Sequence, residues 1–173
     1  MTRRACLFAL AALMLSAVAA AQGTKVNVSM AAVRASTEGR EEKKVDPNLS
    51  EVRESLVVLP YDTFSRLTAA RADVAYGAKK EFPVDRRYTL VVHPIARDAA
   101  GRVRVQVRVD ERVETEKGEV RKRTALEVIR TAEPGKSLTL CGLKSADDGD
   151  ASRGRSAGRS KLVLVVTVRP VER

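Results

Sequence analysis

The sequence predicts an α+β protein that is mostly antiparallel β, built as a twisted sheet or small sandwich with one covering α-helix. Three observations predict this class. Residues 102–109 alternate strictly between polar and apolar side chains, a capped helix pattern begins at Asp46, and residues 162–168 are apolar on nearly both faces. Alternation is typical of a strand with one wet face, whereas an unbroken apolar run is typical of a central strand covered on each side.

The first 21 residues have the pattern of an export signal. Two arginines precede an apolar run over residues 5–17, and three alanines at 19–21 offer the small side chains of a cleavage site before Gln22. We therefore expect a signal peptide over residues 1–21 and an exported chain, periplasmic or extracellular. The apolar run is short for a bilayer span, so no transmembrane span is expected after cleavage. The arginines fit both the general secretory route and the twin-arginine route.

The remaining chain is long enough for one domain with a real core. Residues 22–45 are expected to supply an N-terminal strand and a charged connection. Residues 46–173 are expected to form a single α+β domain. A mobile loop is predicted at residues 144–160, since this run of Gly, Ser, Asp and Arg has no apolar periodicity.

The helix is predicted by its start signal and its apolar spacing. Asp46 is a favourable N-cap, and Pro47 occupies the first helical position, where its missing N–H costs nothing. Pro60 ends the pattern. Four apolar residues recur at three- and four-residue spacing and give one stripe: Leu49, Val52, Leu56 and Leu59.

Strands are expected on both sides of a central meander over residues 87–130. Turns at residues 98–101 and 117–118 fix its two registers, and both registers keep apolar residues opposite apolar residues. The other predicted strands span residues 24–33, 63–70, 78–84, 136–143 and 162–168. The expected apolar pairs are Leu90 with Val109, Val92 with Val107, Val109 with Leu126, and Val107 with Val128.

Arginines dominate the outward face of the predicted meander. The simple register places Arg112 opposite Arg123 and Glu114 opposite Arg121. Like charges across a strand pair cost stability unless something neutralises them. An anionic ligand is one answer, and the neighbouring residues Glu111, Glu114 and Glu127 are the other. The candidate anion- or partner-binding residues on this face are Arg102, Arg104, Arg108, Arg112, Arg121 and Arg123, and the predicted loop adds Arg153, Arg155 and Arg159.

Net charge points toward anionic partners without choosing among them. The chain carries 32 Lys and Arg against 22 Asp and Glu, and removing residues 1–21 with their two arginines leaves 30 against 22, or +8. Envelope polysaccharide, lipid headgroups and nucleic acid all fit this sign, but an arginine-rich composition alone also produces it. The five aromatic residues after Gln22 all fall between residues 61 and 88, away from the arginines, which argues against nucleic acid.

No motif in the chain predicts catalysis, a cofactor or a metal. Residues 154–158 match G-x-S-x-G, but that nucleophile motif needs a preceding strand and a later histidine, and the single histidine, His93, comes earlier. One histidine and one cysteine, Cys141, outside the signal segment are too few for a zinc site. Cys141 is expected to be a half-buried strand residue; pairing between chains is the alternative. We expect a protein that is not an enzyme.

Four segments carry a resemblance: "VDPNLSEVRESLVVLPYDTFSRL", "AYGAKKEFPV", "PGKSLTLCGL" and "KLVLVVTV". Together, over residues 45–168, they are similar to small exported bacterial β-rich proteins of unknown function. The last two segments also resemble the C-terminal strands of secretin domains. The resemblance implies a capped helix followed by a run of strands, and it implies no catalytic or binding residues.

These observations lead to one functional expectation and one alternative. The expectation is a non-catalytic envelope protein, a binding or assembly module that contacts a protein partner through a sheet face or an edge strand. The alternative is a basic module that binds an anionic polymer through the arginine-rich sheet face.

Overall fold

The computed structural model describes residues 25–115, 118–144 and 160–171. Most of these residues lie in strands, and one short helical segment (residues 47–57) interrupts them. The segment consists of a 3₁₀ helix (Pro47–Val52) and an α-helix, α1 (Arg53–Val57). The strands are β1 (Lys25–Ser36), β2 (Lys44–Val45), β3 (Thr63–Ala75), β4 (Lys80–Pro83), β5 (Tyr88–Arg97), β6 (Val103–Glu114), β7 (Val120–Ala132), β8 (Ser137–Lys144) and β9 (Lys161–Pro170).

The strands form two sheets, which we call sheet A and sheet B. Sheet A has the order β2-β3-β1-β9-β8, and sheet B has the order β4-β5-β6-β7. Every pairing is antiparallel except the two-residue contact of β2 with β3. The prediction of a mostly antiparallel β protein is confirmed. The predicted boundary between an N-terminal segment (residues 22–45) and a domain (residues 46–173) stays a prediction. In the structure, β1 of the N-terminal segment lies between β3 and β9 in sheet A.

The centre of sheet A is buried on both faces because β1 and β9 are apolar on both faces. In β9, Leu162, Leu164 and Val166 face a hydrophobic cluster shared with sheet B. The alternate residues Val163 and Val165 face a second cluster, formed with the helical segment. The prediction that residues 162–168 form a central, doubly covered strand is confirmed.

The helical segment begins as predicted but does not form a continuous α-helix. The Asp46 carboxylate accepts a hydrogen bond from the Asn48 amide (2.9 Å) and another from the Arg66 amide of β3 (3.2 Å), which joins the cap to the sheet. Leu49 then leaves helical geometry. At the other end, the Lys43 ammonium group donates to the carbonyl of Val57 (2.5 Å). The segment is too short to be stable as a free helix, and these contacts with neighbouring parts of the chain stabilise it.

The predicted meander is confirmed over most of its length. Leu90 pairs with Val109 and Val92 with Val107, and both Gly101 and Gly118 adopt positive φ at the connections. Beyond Val109 the predicted register of β7 is wrong. Val109 pairs with Leu126 but Asp110 pairs with Thr124, so Ala125 is an extra residue in β7. Such a bulge exchanges the two faces of the strand beyond it.

Because of the bulge, the predicted pairings of Arg112, Arg121 and Arg123 are wrong. Arg123 pairs with Glu111 rather than with Arg112, and Arg112 pairs with Lys122. Arg121 pairs with Val113 rather than with Glu114. Cys141 differs as well, since it lies in β8 as predicted but is exposed rather than half-buried.

Among the described residues, no helix has the length and apolarity that a membrane crossing would need.

Truncation of Leu164 tests the shared cluster. This β9 side chain is fully buried among residues of both sheets. We expect Leu164→Ala to lower the free energy of unfolding by about 2–5 kcal/mol, because it leaves a cavity that two packed sheets cannot close. Urea unfolding measures the loss. Val58→Ala, at a side chain that is 78% exposed, is the control and should change the free energy by less than about 0.5 kcal/mol. Equal losses in the two variants would contradict this packing.

Candidate functional site

The predicted arginine face is split between the two faces of sheet B. We define the outer face as the one turned away from the cluster shared with sheet A. Arg104, Arg108 and Arg112 alternate with the buried valines of β6 and so lie on the outer face. Because of the bulge at Ala125, Arg121 and Arg123 lie on the opposite face, where they pair with odd-numbered residues of β6.

The remaining predicted arginines lie outside these strands. Arg102 precedes β6. Arg153, Arg155 and Arg159 lie outside the described residues. The nine candidate residues are therefore not brought together into one basic site within the described part of the chain.

Four of the predicted arginines are held by carboxylates of the same chain. The shortest contacts join Arg102 to Asp98 (2.7 Å), Arg108 to Asp110 (3.0 Å), Arg121 to Glu119 (3.3 Å) and Arg123 to Glu111 (2.5 Å). Of the two answers that the sequence left open, neutralisation by neighbouring acids therefore accounts for these four residues. Arg104 and Arg112 have no ion pair with a described residue.

Glu111 is the most buried carboxylate of sheet B. Its side chain is 3% exposed, and both Arg87 and Arg123 contact it. Nε of Arg87 donates to Oε1 of Glu111 (2.6 Å). The hydrogen bond from Arg123 is the main cause that lowers the pKa of Glu111, and desolvation opposes it. Glu111 lies opposite Tyr88, where the apolar cluster ends, and the two guanidinium groups replace the water that the carboxylate loses.

One pair of like charges remains on the outer face. Arg112 lies directly opposite Lys122, and the nearest acid to Lys122 is Glu81 at 3.9 Å, with both side chains more than half exposed. An ion pair of this kind contributes little. Of the predicted anion-binding residues that the structure describes, only Arg104 and Arg112 remain without an ion pair to a described residue, and Arg112 lies beside Lys122.

β7 presents a second candidate surface, its free edge. This 13-residue strand is the last strand of sheet B, and on its far side no strand of the described residues pairs with it. Two of its solvent-facing apolar residues, Val120 and Ile129, are 66% and 46% exposed. Sequence reasoning placed β7 in the meander but missed its edge position, because strand order depends on contacts between distant segments.

A cleft of about 470 Å³ lies where the helical segment crosses the outer side of sheet A. Ala31, Ala69 and Val165 contribute its floor, and Arg71 at its rim is paired with Glu51 (3.2 Å). The described residues contain no group of three His, Cys, Asp or Glu side chains that is placed to hold a metal ion. His93 lies opposite Gln106 as predicted and contacts it through Nδ1 (3.1 Å).

Comparisons of this chain with protein-family models, with curated proteins and with solved structures found no match.

Substitution of Glu111 tests the buried ion cluster. We expect Glu111→Gln to lower the free energy of unfolding at pH 7 by about 1–3 kcal/mol, because the amide leaves two guanidinium groups without their shared carboxylate. Since the folded-state pKa of Glu111 is lowered, its contribution is complete above the unfolded pKa and is lost as the pH falls through the folded value.

The difference between wild type and Glu111→Gln should therefore shrink below about pH 4, near the ordinary glutamate pKa. Urea unfolding from pH 7 to pH 3 measures it. Glu119→Gln is the matched control, since Glu119 is 63% exposed in its pair with Arg121 and should contribute no more than about 1 kcal/mol. A difference for Glu111→Gln that does not change with pH would show that its carboxylate is not ionised in the folded protein.

Proposed function

We propose that this chain is a non-catalytic, exported envelope protein that binds or assembles with a protein partner through the free edge of β7. In this proposal sheets A and B form a small sandwich, and the segment over residues 1–21 directs export. The observation that carries the proposal is the length of the edge. All of β7, 13 residues, has one side without a partner strand among the described residues, and most of its side chains are exposed.

A free edge supports binding because its backbone groups are already in position. The outward N–H and C=O groups of an edge strand can pair with an extended segment, and main-chain hydrogen bonds then supply the affinity. The other edges offer less. β2 has two residues, so on that side β3 is left without a described partner strand over residues 65–75, where the Arg66 amide is already bonded to Asp46. β4 has four residues, and β8 has eight with an irregularity between Leu140 and Leu143. β7 is therefore the most extensive template in the described structure.

Apolar side chains on the solvent side of β7 support the same surface. Val120 and Ile129 both lie on the outer face, at opposite ends of the strand. Single exposed apolar residues are ordinary. Here two of them flank one unpaired edge, so that a partner strand laid along β7 would cover both and gain apolar burial as well as hydrogen bonds.

The alternative is a basic module for an anionic polymer, and a specific observation favours it. Arg104 and Arg112 are unpaired among the described residues, and Arg112 lies opposite Lys122. Intramolecular ion pairs hold the other predicted arginines of sheet B, so the free charge is smaller than the composition suggests. We therefore rank this function second.

Lysine substitutions on the edge distinguish the two functions. The tagged chain is recovered from its native envelope at low and at high salt, and co-purifying proteins are quantified. We expect one stoichiometric protein that persists at high salt, and we expect Ile129→Lys and Val120→Lys each to reduce its recovery at least about fivefold, since each places a charge where apolar surface is buried. Val58→Lys is the control at an exposed valine directly after the helical segment.

Equal recovery in all three variants would refute the edge. Recovery of a polymer that is lost steeply as salt rises, and that depends on Arg104 and Arg112, would favour the alternative instead, because counterion release drives such binding.

A further inference from the structure

The two sheets end on the same side of the molecule in free edges. β7 is the last strand of sheet B and β8 is the last strand of sheet A. The short turn over residues 133–136 joins them, with the Gly135 amide bonded to the Val168 carbonyl (3.0 Å). Neither β7 nor β8 has a further neighbouring strand among the described residues, so both sheets have an unpaired edge on this side.

Apolar side chains line this open side. Four residues point toward the shared cluster but remain only partly buried, and we call them the seam: Leu126, Val128, Leu138 and Leu140. On the opposite side of the molecule, Val74, Phe82 and Val84 are at most 5% exposed, whereas the smaller Ala70 and Ala72, and Tyr76, are also only partly buried. The seam is therefore an incompletely covered margin of the core, and its side chains are leucines and a valine.

Charge along β7 is concentrated on one side of the bulge. Arg121, Lys122 and Arg123 are consecutive and exposed, whereas the stretch from Leu126 to Ala132 carries one acid, Glu127, and one base, Arg130. Glu119 and Glu111 each contact one of the three consecutive bases, and Lys122 has only the distant Glu81. The edge thus has a basic stretch before Ala125 and an apolar stretch after it.

This distribution disfavours a second copy of the chain as the occupant. Parallel pairing of β7 with a second copy would set like charges directly opposite. Antiparallel pairing about Ala125 would place one acid, Glu127, opposite Arg123, and would leave Arg121 and Lys122 opposite apolar residues. Basic residues and bulges are the features by which an edge avoids its own copies. An acidic strand meets no such repulsion.

We infer that the partner of β7 is an extended protein segment that adds to sheet B as a fifth strand, apolar along the seam and acidic along residues 121–123. The inference rests on the proposed function and deepens it by naming the chemistry of the partner. Apolar residues at every second position would contact the seam, and carboxylates would neutralise the basic stretch. Main-chain hydrogen bonds to β7 would hold the segment in place.

Synthetic peptides of defined composition test the inference. Each probe has twelve residues in two halves. In the apolar half threonine alternates with valine, and in the acidic half threonine alternates with glutamate. They are made with the acidic half at either end, because the direction of addition is open. Control peptides carry lysine in place of glutamate. Fluorescence anisotropy gives the affinity at about 50 mM salt, where exposed charges are weakly screened, and amide exchange by NMR locates the site.

We expect one acidic probe to bind at least about tenfold more tightly than its lysine control and to protect amides of β7. The double variant Arg121→Glu and Lys122→Glu should remove this preference. Arg123 is left unchanged because it contacts the buried Glu111. The matched control, Arg53→Glu with Arg104→Glu, reverses two exposed charges that lie away from residues 121–123, and it should change the affinity by less than about twofold.

Each other result overturns the inference in a different way. Equal binding of acidic and lysine probes along β7 would refute the acidic chemistry of the partner, but it would still be consistent with binding at the β7 edge. Loss of binding in the Arg53 and Arg104 variant, without protection of β7, would place the site away from the edge of β7. Absence of binding by every probe would refute the strand chemistry, while partner recovery that depends on Ile129 would still support the proposed function.

Discussion

The whole arrangement depends on covering β1 and β9 from both sides. These paired strands are mostly apolar toward the middle of the sheet, and their alternate residues enter two separate clusters. Either face left in water would expose a continuous apolar surface, so each needs its own cover. Sheet B covers one face. The helical segment covers part of the other.

This requirement explains why so short a helical segment persists. A single turn of α-helix is not stable alone in water. Here Leu49 and Leu56 are buried against sheet A. At one end Asp46 accepts a hydrogen bond from the backbone of β3, and at the other end Lys43 donates to the carbonyl of Val57. The same requirement shapes sheet B. The buried apolar residues of β6 end at Val109, and beyond that point Glu111, a buried carboxylate between two arginines, continues the buried face of the strand.

Local pattern in the sequence was enough to predict the strands, the N-cap and most registers, because alternation and turn chemistry are local properties. The bulge at Ala125 has no such signal, since neither glycine nor proline marks it. That one extra residue places Arg121 and Arg123 on the other face of sheet B, so the predicted arginine surface is wrong at these two residues. Strand order, the free edge of β7 and the 3₁₀ geometry at Leu49 depend on tertiary contacts, which no local pattern contains. Export and the loop arginines stay predictions, because residues 1–24 and 145–159 lie outside the described part.

The edge of β7 unites the fold and the proposed function. A strand that closes one side of the core and leaves its other side open is both structural and available for pairing. Within the described part of the chain, β6 is the one strand that pairs with β7.

Residue-resolved hydrogen exchange of the purified chain tests this central claim most directly. Amides of β1 and β9 should exchange slowest, through global unfolding. Along β7 we expect an alternating pattern, in which amides bonded to β6 are protected and those that point away exchange at nearly unprotected rates. Uniform protection along β7, comparable to that of β9, would show that the edge is already covered and would contradict the account.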